Sequence, residues 1–223
     1  MSHTPETVLD ATRLYRFYRA GEEETAALLG VNLHAVAGEF IAVTGPSGSG
    51  KSTLMACLAG LDEPDGGTVR IDGTRISHRP ERERAALRGR LVGVLFQSGN
   101  LIEHLTVRRN MELAQRISRR HDPARPDELL SALNLEHRGD TRPSRLSGGE
   151  AARAGLAVAL AARPAVVLAD EPTGELDAEA EREVIDLLRE QTAQGTVVIV
   201  ASHSPAVAAA ADRTVTLRDG EVV

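Results

Sequence analysis

Residues 45–53 run Gly45-Pro46-Ser47-Gly48-Ser49-Gly50-Lys51-Ser52-Thr53 and meet the pattern G-x-x-x-x-G-K-[ST]. Glycines at these positions let the backbone wrap closely around phosphates, with successive N–H groups turned inward as an anion nest. Lys51 can reach β- and γ-phosphates, and the Ser52 hydroxyl can ligate Mg²⁺. The flanks narrow the fold further. Glu39 to Thr44 is a short apolar run suited to a buried strand, and Ser52 to Leu58 suits a helix. The positive end of that helix would face the phosphates. The run is read as a nucleotide-binding loop, with all nine residues around the phosphates.

A second anion site is visible downstream. Residues 146–150 read Leu-Ser-Gly-Gly-Glu. Ser147 followed by Glu150 forms a capping box, which predicts a helix start. The Ala-rich run to Ala162 continues that helix, and Arg163-Pro164 stops it. A helix N-terminus behind a serine and two glycines can hold phosphate. One loop already cradles a nucleotide, so a second site calls for a second copy. In a two-fold dimer, Ser147, Gly148 and Gly149 of one subunit would close over the γ-phosphate held by the other.

The chain of 223 residues is long enough for one α/β domain with its own core. Its apolar stretches are far shorter than a membrane span, and no signal peptide is read at residues 1–5. The single cysteine, Cys57, is read as a small buried filler, and a reducing cytoplasm is expected. A net charge of −6 argues against broad nucleic-acid binding, which needs a basic footprint. Basic clusters at Arg79 to Arg90, Arg108-Arg109 and Arg116 to His121 are read as solvated faces, or as a contact surface for a partner or for anionic lipid headgroups.

Val31 to Val36 and Glu39 to Val43 read as strands paired across Ala37-Gly38. Thr68 to Ile71 and Thr74 to Ile76 flank Asp72-Gly73, a hairpin turn. Leu91 to Phe96 reads as a buried strand. From Thr106 to Ala162 the pattern is helical, with breaks at Asp122-Pro123 and Arg142-Pro143. Ala165 to Ala169 and Thr196 to Ala201 have the unbroken apolar character of parallel strands, with an amphipathic helix from Ala178 to Gln191 between them. Thr214 to Leu217 and Glu221 to Val223 bracket a closing turn at Asp219-Gly220.

In open α/β sheets, function gathers at the carboxyl ends of the strands. Asp170 and Glu171 sit where one apolar run stops, so Asp170 is placed to hold Mg²⁺. Glu171 is then free to polarise an attacking water as general base. His203 follows Ser202 at the end of the next strand.

The order of these motifs resembles the ATPase subunit of ABC transporters over nearly the whole chain. In texture it is similar to the branch serving lipoprotein-release, macrolide-efflux and cell-division permeases. Tyr18 to Glu22, Asn100-Leu-Ile, Leu105-Thr-Val107 and Leu168 to Gly174 carry that branch resemblance. It implies a P-loop NTPase (RecA-like) α/β core with a mainly parallel sheet, an N-terminal antiparallel β part and a helical part. Residues 1–97 and 160–223 would form the core and residues 98–159 the helical part of a single domain. ATP and Mg²⁺ are the implied ligands. His203 is implied as the switch contacting the γ-phosphate, and Gln97 as the glutamine touching Mg²⁺ and water. Asp177 matches a loop crossing the dimer interface. Tyr18 matches an aromatic that stacks on adenine, with Tyr15 and Phe17 as neighbours able to compete for that role.

The chain departs from the family at Ala151, Ala152, Val158, Glu175 and Ser204, positions that bear on turnover and partner choice. The expected partners are a membrane permease on a separate chain and a second ATPase subunit, a homodimer being feasible and a heterodimer left open. The expected location is the inner face of the cell membrane, with no nucleic acid bound. The alternatives are a soluble ABC-type ATPase, mechanotransmission to an envelope complex, and a small-molecule kinase. The last leaves Ser147, Glu171 and His203 without a task.

Overall fold

Residues 6–20, 23–96, 100–174 and 176–223 are described by a computed structural model. Gln97 and Glu175 therefore lie outside the described residues. Two sheets organise the chain. Strands β1 (Thr7–Ala20), β2 (Glu23–Val36), β4 (Gly66–Ile71) and β5 (Thr74–Arg75) form an antiparallel sheet in the order β2-β1-β4-β5. A six-stranded sheet has the order β10-β9-β3-β8-β7-β6. It comprises β3 (Phe40–Thr44), β6 (Val92–Leu95), β7 (Val166–Asp170), β8 (Val197–Ala201), β9 (Arg213–Arg218) and β10 (Glu221–Val222). All its neighbours are parallel except β9 and β10, which close the antiparallel turn at Asp219-Gly220.

The parallel strands are buried on both faces, and their alternation divides two cores. Ile41, Val43, Val166, Leu168, Val197 and Ile199 face one core, which they share with the antiparallel sheet and α1 (Lys51–Leu58). Phe40, Ala42, Val167, Ala169, Val198 and Val200 face the other. There they meet α3 (Val107–Ser118), α4 (Arg125–Ala132), α5 (Gly148–Leu160) and α6 (Ala178–Ala193). The remaining α-helices among the described residues are α2 (Glu81–Leu91) and the short α7 (Pro205–Ala210). Cys57 is 1% exposed in the first core, and burial pushes its thiol up to about 12. That agrees with its reading as a filler.

The turn at Asp72-Gly73 forms as read, with both residues at positive φ and Ile71 opposite Thr74. The helical stretch breaks near Asp122 and Arg142 as read. One expected pairing is absent. Val31–Val36 and the run after Gly38 belong to different sheets: β2 pairs with β1, placing Val31 opposite Leu14, whereas β3 lies between β8 and β9. The cause is burial. Phe40 to Val43 are at most 1% exposed and need cover on both faces, which parallel neighbours supply. Gly38, at φ +78, makes the sharp turn between sheets, and a Cβ there would lie 2.8 Å from the Thr192 carbonyl oxygen. Phe96 also departs from its reading. The strand ends at Leu95, and Phe96 is 43% exposed. Of the basic clusters, the one at α2 is largely neutralised within the chain: Arg84 and Arg88 both pair with Glu81.

Candidate nucleotide site

The P-loop connects β3, at the centre of the parallel sheet, to α1. Gly50, at φ +102, is the N-cap of α1, and no side chain caps that end. The N–H groups of Lys51, Ser52 and Thr53 therefore meet no acceptor among the described residues. Glycine is required at both ends of the loop. A Cβ on Gly45 would come within 2.1 Å of the Leu217 carbonyl oxygen, and one on Gly50 within 2.3 Å of that of Ala27. At Gly48 a Cβ would enter open space, but φ +79 still favours glycine. The Lys51 ammonium donates to the carbonyls of Gly45 at 2.8 Å and Pro46 at 3.1 Å, so the cation lies folded over the loop. The Ser49 hydroxyl is buried without a partner.

A cleft of about 500 Å³ opens beside this loop. Ser47, Gly48, Lys51 and Ser52 line one side, and Asp170, Glu171, Pro172, Gly174 and His203 the strand-end side. Leu95, Phe96, Asn100 and Ala152 complete the wall. Glu171 follows β7 with φ +49, a left-handed conformation that costs a non-glycine residue about 1–3 kcal/mol. The chain maintains it by fixing both ends of the residue. The Glu171 backbone N–H donates to the Ala201 carbonyl at 2.9 Å. Its carboxylate accepts from the Ser202 hydroxyl at 3.1 Å and from the His203 N–H at 3.4 Å. His203 Nε2 lies 3.7 Å from the other carboxylate oxygen. The candidate base and the candidate switch thus share one hydrogen-bonded corner between β7 and β8. Ser204 then caps α7, its hydroxyl accepting from the N–H groups of Ala206 and Val207. This gives that departure from the family a local structural role.

The structure brings Ser47, Gly48, Lys51, Ser52, Asp170, Glu171 and His203 to one cleft, with Gly45, Pro46, Ser49, Gly50 and Thr53 completing the loop. Tyr18 stands to one side, its hydroxyl donating to Asp62 at 2.7 Å. Ser147, Gly148, Gly149 and Asp177 are not among the cleft's lining residues. They are grouped at another place: a Cβ on Gly149 would touch Leu176 at 3.4 Å, and Asp177 follows as the N-cap of α6. The Asp177 carboxylate accepts from the N–H groups of Glu179 and Ala180. Ser147 forms the full capping box with Glu150. The Ser147 N–H and Arg138 together hold the Glu150 carboxyl down to about 2.

Sequence reasoning passed over two participants. Asn100 pairs with the backbone of Phe96, accepting from its N–H at 2.7 Å and donating to its carbonyl at 2.6 Å. Its appearance three residues after Gln97 in a polar turn was the available signal. Ser202, the donor to Glu171, is identifiable only through the β7–β8 pairing.

The residues fit a magnesium nucleotide. The loop leaves N–H groups at an open helix end, a buried hydroxyl lacks a partner, and Ser52 and Asp170 offer the hard oxygen ligands that Mg²⁺ takes. Comparison with known proteins agrees. The sequence model of the ABC transporter family matches residues 28–174. The chain is 42% identical over 221 residues to the macrolide export ATP-binding/permease protein MacB of Hahella chejuensis, and 40% identical over 219 residues to that of Escherichia coli. These matches cover 98% and 97% of this chain but only 34% of each relative, so the chain spans about a third of the length of those proteins. Among solved structures, the dimeric ATP-binding cassette MJ0796 in a post-hydrolysis state with ADP and Pi superposes with a TM-score of 0.90 at 35% identity, covering 96% of both chains. The chain belongs to the ABC transporter family and is an ABC-type ATPase cassette using ATP and Mg²⁺.

Proposed function

We propose that this cassette is the motor of a transporter: two copies close around two ATP molecules, and hydrolysis drives a membrane permease carried on a separate chain. The observation that carries the reading is the division of the site. The P-loop cleft holds the candidate base and two of the candidate metal ligands, while Ser147, Gly148, Gly149 and Asp177 do not line it, and Gly149 lies beside Leu176, the neighbour of Asp177. A second subunit would bring those residues to the open cleft, giving the glycine-preceded N-terminus of α5 a phosphate to bind.

In the hydrolytic step, Lys51 swings from its own loop carbonyls to the β- and γ-phosphates. Ser52, Asp170 and Gln97 would hold Mg²⁺, which would supply charge neutralisation at the phosphates. Glu171 accepts a proton from the attacking water as the water oxygen bonds to the γ-phosphorus and the bond from that phosphorus to the β–γ bridging oxygen breaks, leaving ADP and phosphate; Ser202 and His203 fix the orientation of the carboxylate. His203 then exchanges its contact with Glu171 for the γ-phosphate. Residues 98–159 are read as the helical part that senses this change, and residues 1–97 and 160–223 as the catalytic core. Among the described residues no helix is long and apolar enough to cross a membrane. The permease contact is assigned to the groove of about 450 Å³ along α3, lined by Leu105, Arg109, Glu112, Leu113 and Arg116. Arg108 is already engaged by Asp127 at 2.6 Å, so charge reversal of Arg109 should weaken permease co-purification more than reversal of Arg108. The relatives' role in macrolide export favours efflux cargo, with lipoprotein or peptide export as the neighbouring class, at the inner face of the membrane.

Light scattering on Glu171→Gln, with and without ATP, tests the closed dimer. A shift from monomer to dimer on adding ATP is expected. A protein that binds ATP and remains monomeric would overturn self-pairing through Ser147 and leave a different partner subunit to be identified.

A further inference from the structure

Tyr18 is held at both its face and its tip. Arg16, on the same side of β1, places its guanidinium 4.6 Å from the centroid of the Tyr18 ring, within cation–π range. Arg16 is itself fixed by Asp62, to which its Nε and Nη2 each donate at 2.9 Å in a two-pronged pair. The same Asp62 accepts the Tyr18 hydroxyl at 2.7 Å. Tyr18 remains 42% exposed, so the ring is held while much of its surface stays open.

This arrangement has two consequences. The ring's rotational freedom is already lost before a ligand arrives, which is preorganisation. A planar ligand also finds Arg16 on one face and must use the other.

We propose that Asp62 is the positioning residue of the base platform: it fixes Tyr18 through the hydroxyl and, through Arg16, closes one ring face, so that the nucleotide base stacks on the opposite one. This rests on the reading of Tyr18 as the base-stacking residue. The charge states support a persistent lock. Burial, followed by the bond to Asp62, pushes the phenol up and keeps it protonated. Burial works to raise the Asp62 carboxyl, but Arg16 and the Tyr18 hydroxyl together hold it below its ordinary value.

The chain has two tyrosines and no tryptophan, so Tyr15→Phe leaves Tyr18 as the only strong intrinsic fluorophore. ATP·Mg²⁺ and inorganic triphosphate·Mg²⁺ are each titrated by calorimetry in every variant, and tyrosine emission in the Tyr15→Phe background gives a second reading of ATP binding wherever Tyr18 is kept. Triphosphate carries no base and reports the phosphate loop alone. Asp62→Asn should weaken ATP about tenfold, the scale of a hydrogen bond to a charged group, and leave triphosphate unchanged. KM for ATP should rise by a similar factor at constant kcat, with partial recovery in Asp62→Glu. Tyr18→Phe keeps the ring and removes only the hydroxyl, so it should lose about threefold on ATP without disturbing the Arg16–Asp62 pair. Equal losses for ATP and triphosphate, or an unchanged ratio in Asp62→Asn and Tyr18→Phe, would overturn the proposal. Tyr18→Ala separates the underlying reading: if it too leaves the ratio unchanged, Tyr18 is not the base platform.

Discussion

The N-termini of α1 and α5 are both helix starts next to glycines, yet they are finished in opposite ways. The α1 end is open. Gly50 contributes no side chain, and the first N–H groups have no internal acceptor. The α5 end is closed. The Ser147 hydroxyl accepts from the Glu150 N–H, and the Glu150 carboxylate reaches back to the Ser147 N–H at 2.9 Å and its hydroxyl at 3.1 Å. The open end can take phosphate without giving up an internal bond. The closed end must release the Ser147 hydroxyl from Glu150 before that group can serve a ligand. The difference is that between a standing binding site and one that depends on a partner to supply something better than its own cap.

The largest effect should come from the chemistry beside the open end. Glu171→Gln should lower phosphate release by on the order of 10²–10⁴-fold while ATP binding persists. A loss below tenfold would remove Glu171 as the base. Next comes the strand-end donor. Ser202→Ala should reduce kcat by about tenfold at unchanged KM, because the base loses its orientation. An altered KM with normal kcat would show that Ser202 serves binding instead.

The comparison is then tested through stability. Gly50→Ala forces a side chain into φ +102 against the Ala27 carbonyl, so thermal unfolding should report a loss of about 1–3 kcal/mol together with lost nucleotide binding. Ser147→Ala should cost about 1 kcal/mol through the lost cap, with P-loop binding of ATP intact. Equal effects of the two variants on ATP binding would erase the distinction drawn here.

The smallest effect is a pH dependence. Glu150 is held near 2 in the fold, against an ordinary 4.5. Its contribution to stability is therefore complete above pH 4.5 and fades as pH falls toward 2. The stability gap between wild type and Glu150→Gln should narrow over that range, and a constant gap would show that the charge is immaterial.

Local chemistry made much of this legible in the sequence. The P-loop, the capping box at Ser147 and the turn at Asp72-Gly73 are each defined by neighbours in the chain. The parallel strands were legible because burial on both faces leaves an unbroken apolar run. What was missed depends on residues far apart in sequence. Tyr18 meets Asp62 only after β1 has come alongside the segment between α1 and β4, and Ser202 meets Glu171 only across two paired strands. The hairpin expected across Ala37-Gly38 failed for a related reason: a short link between two apolar runs resembles a hairpin, and nothing local reveals that β2 already has a partner. β1 itself was hidden by irregular register with β2 and by Arg13 at φ +50, which break its alternation.

The parallel sheet is a party wall. Phe40 and Ile41 are adjacent in the chain, yet they serve different cores on opposite sides of it. Neither side can melt and leave the other standing, because each would lose the same strands. Damage to the helical side should therefore be felt on the nucleotide side as a lower temperature for one shared collapse. Asp170 and Glu171, at the top of that wall, stand where both halves register the loss.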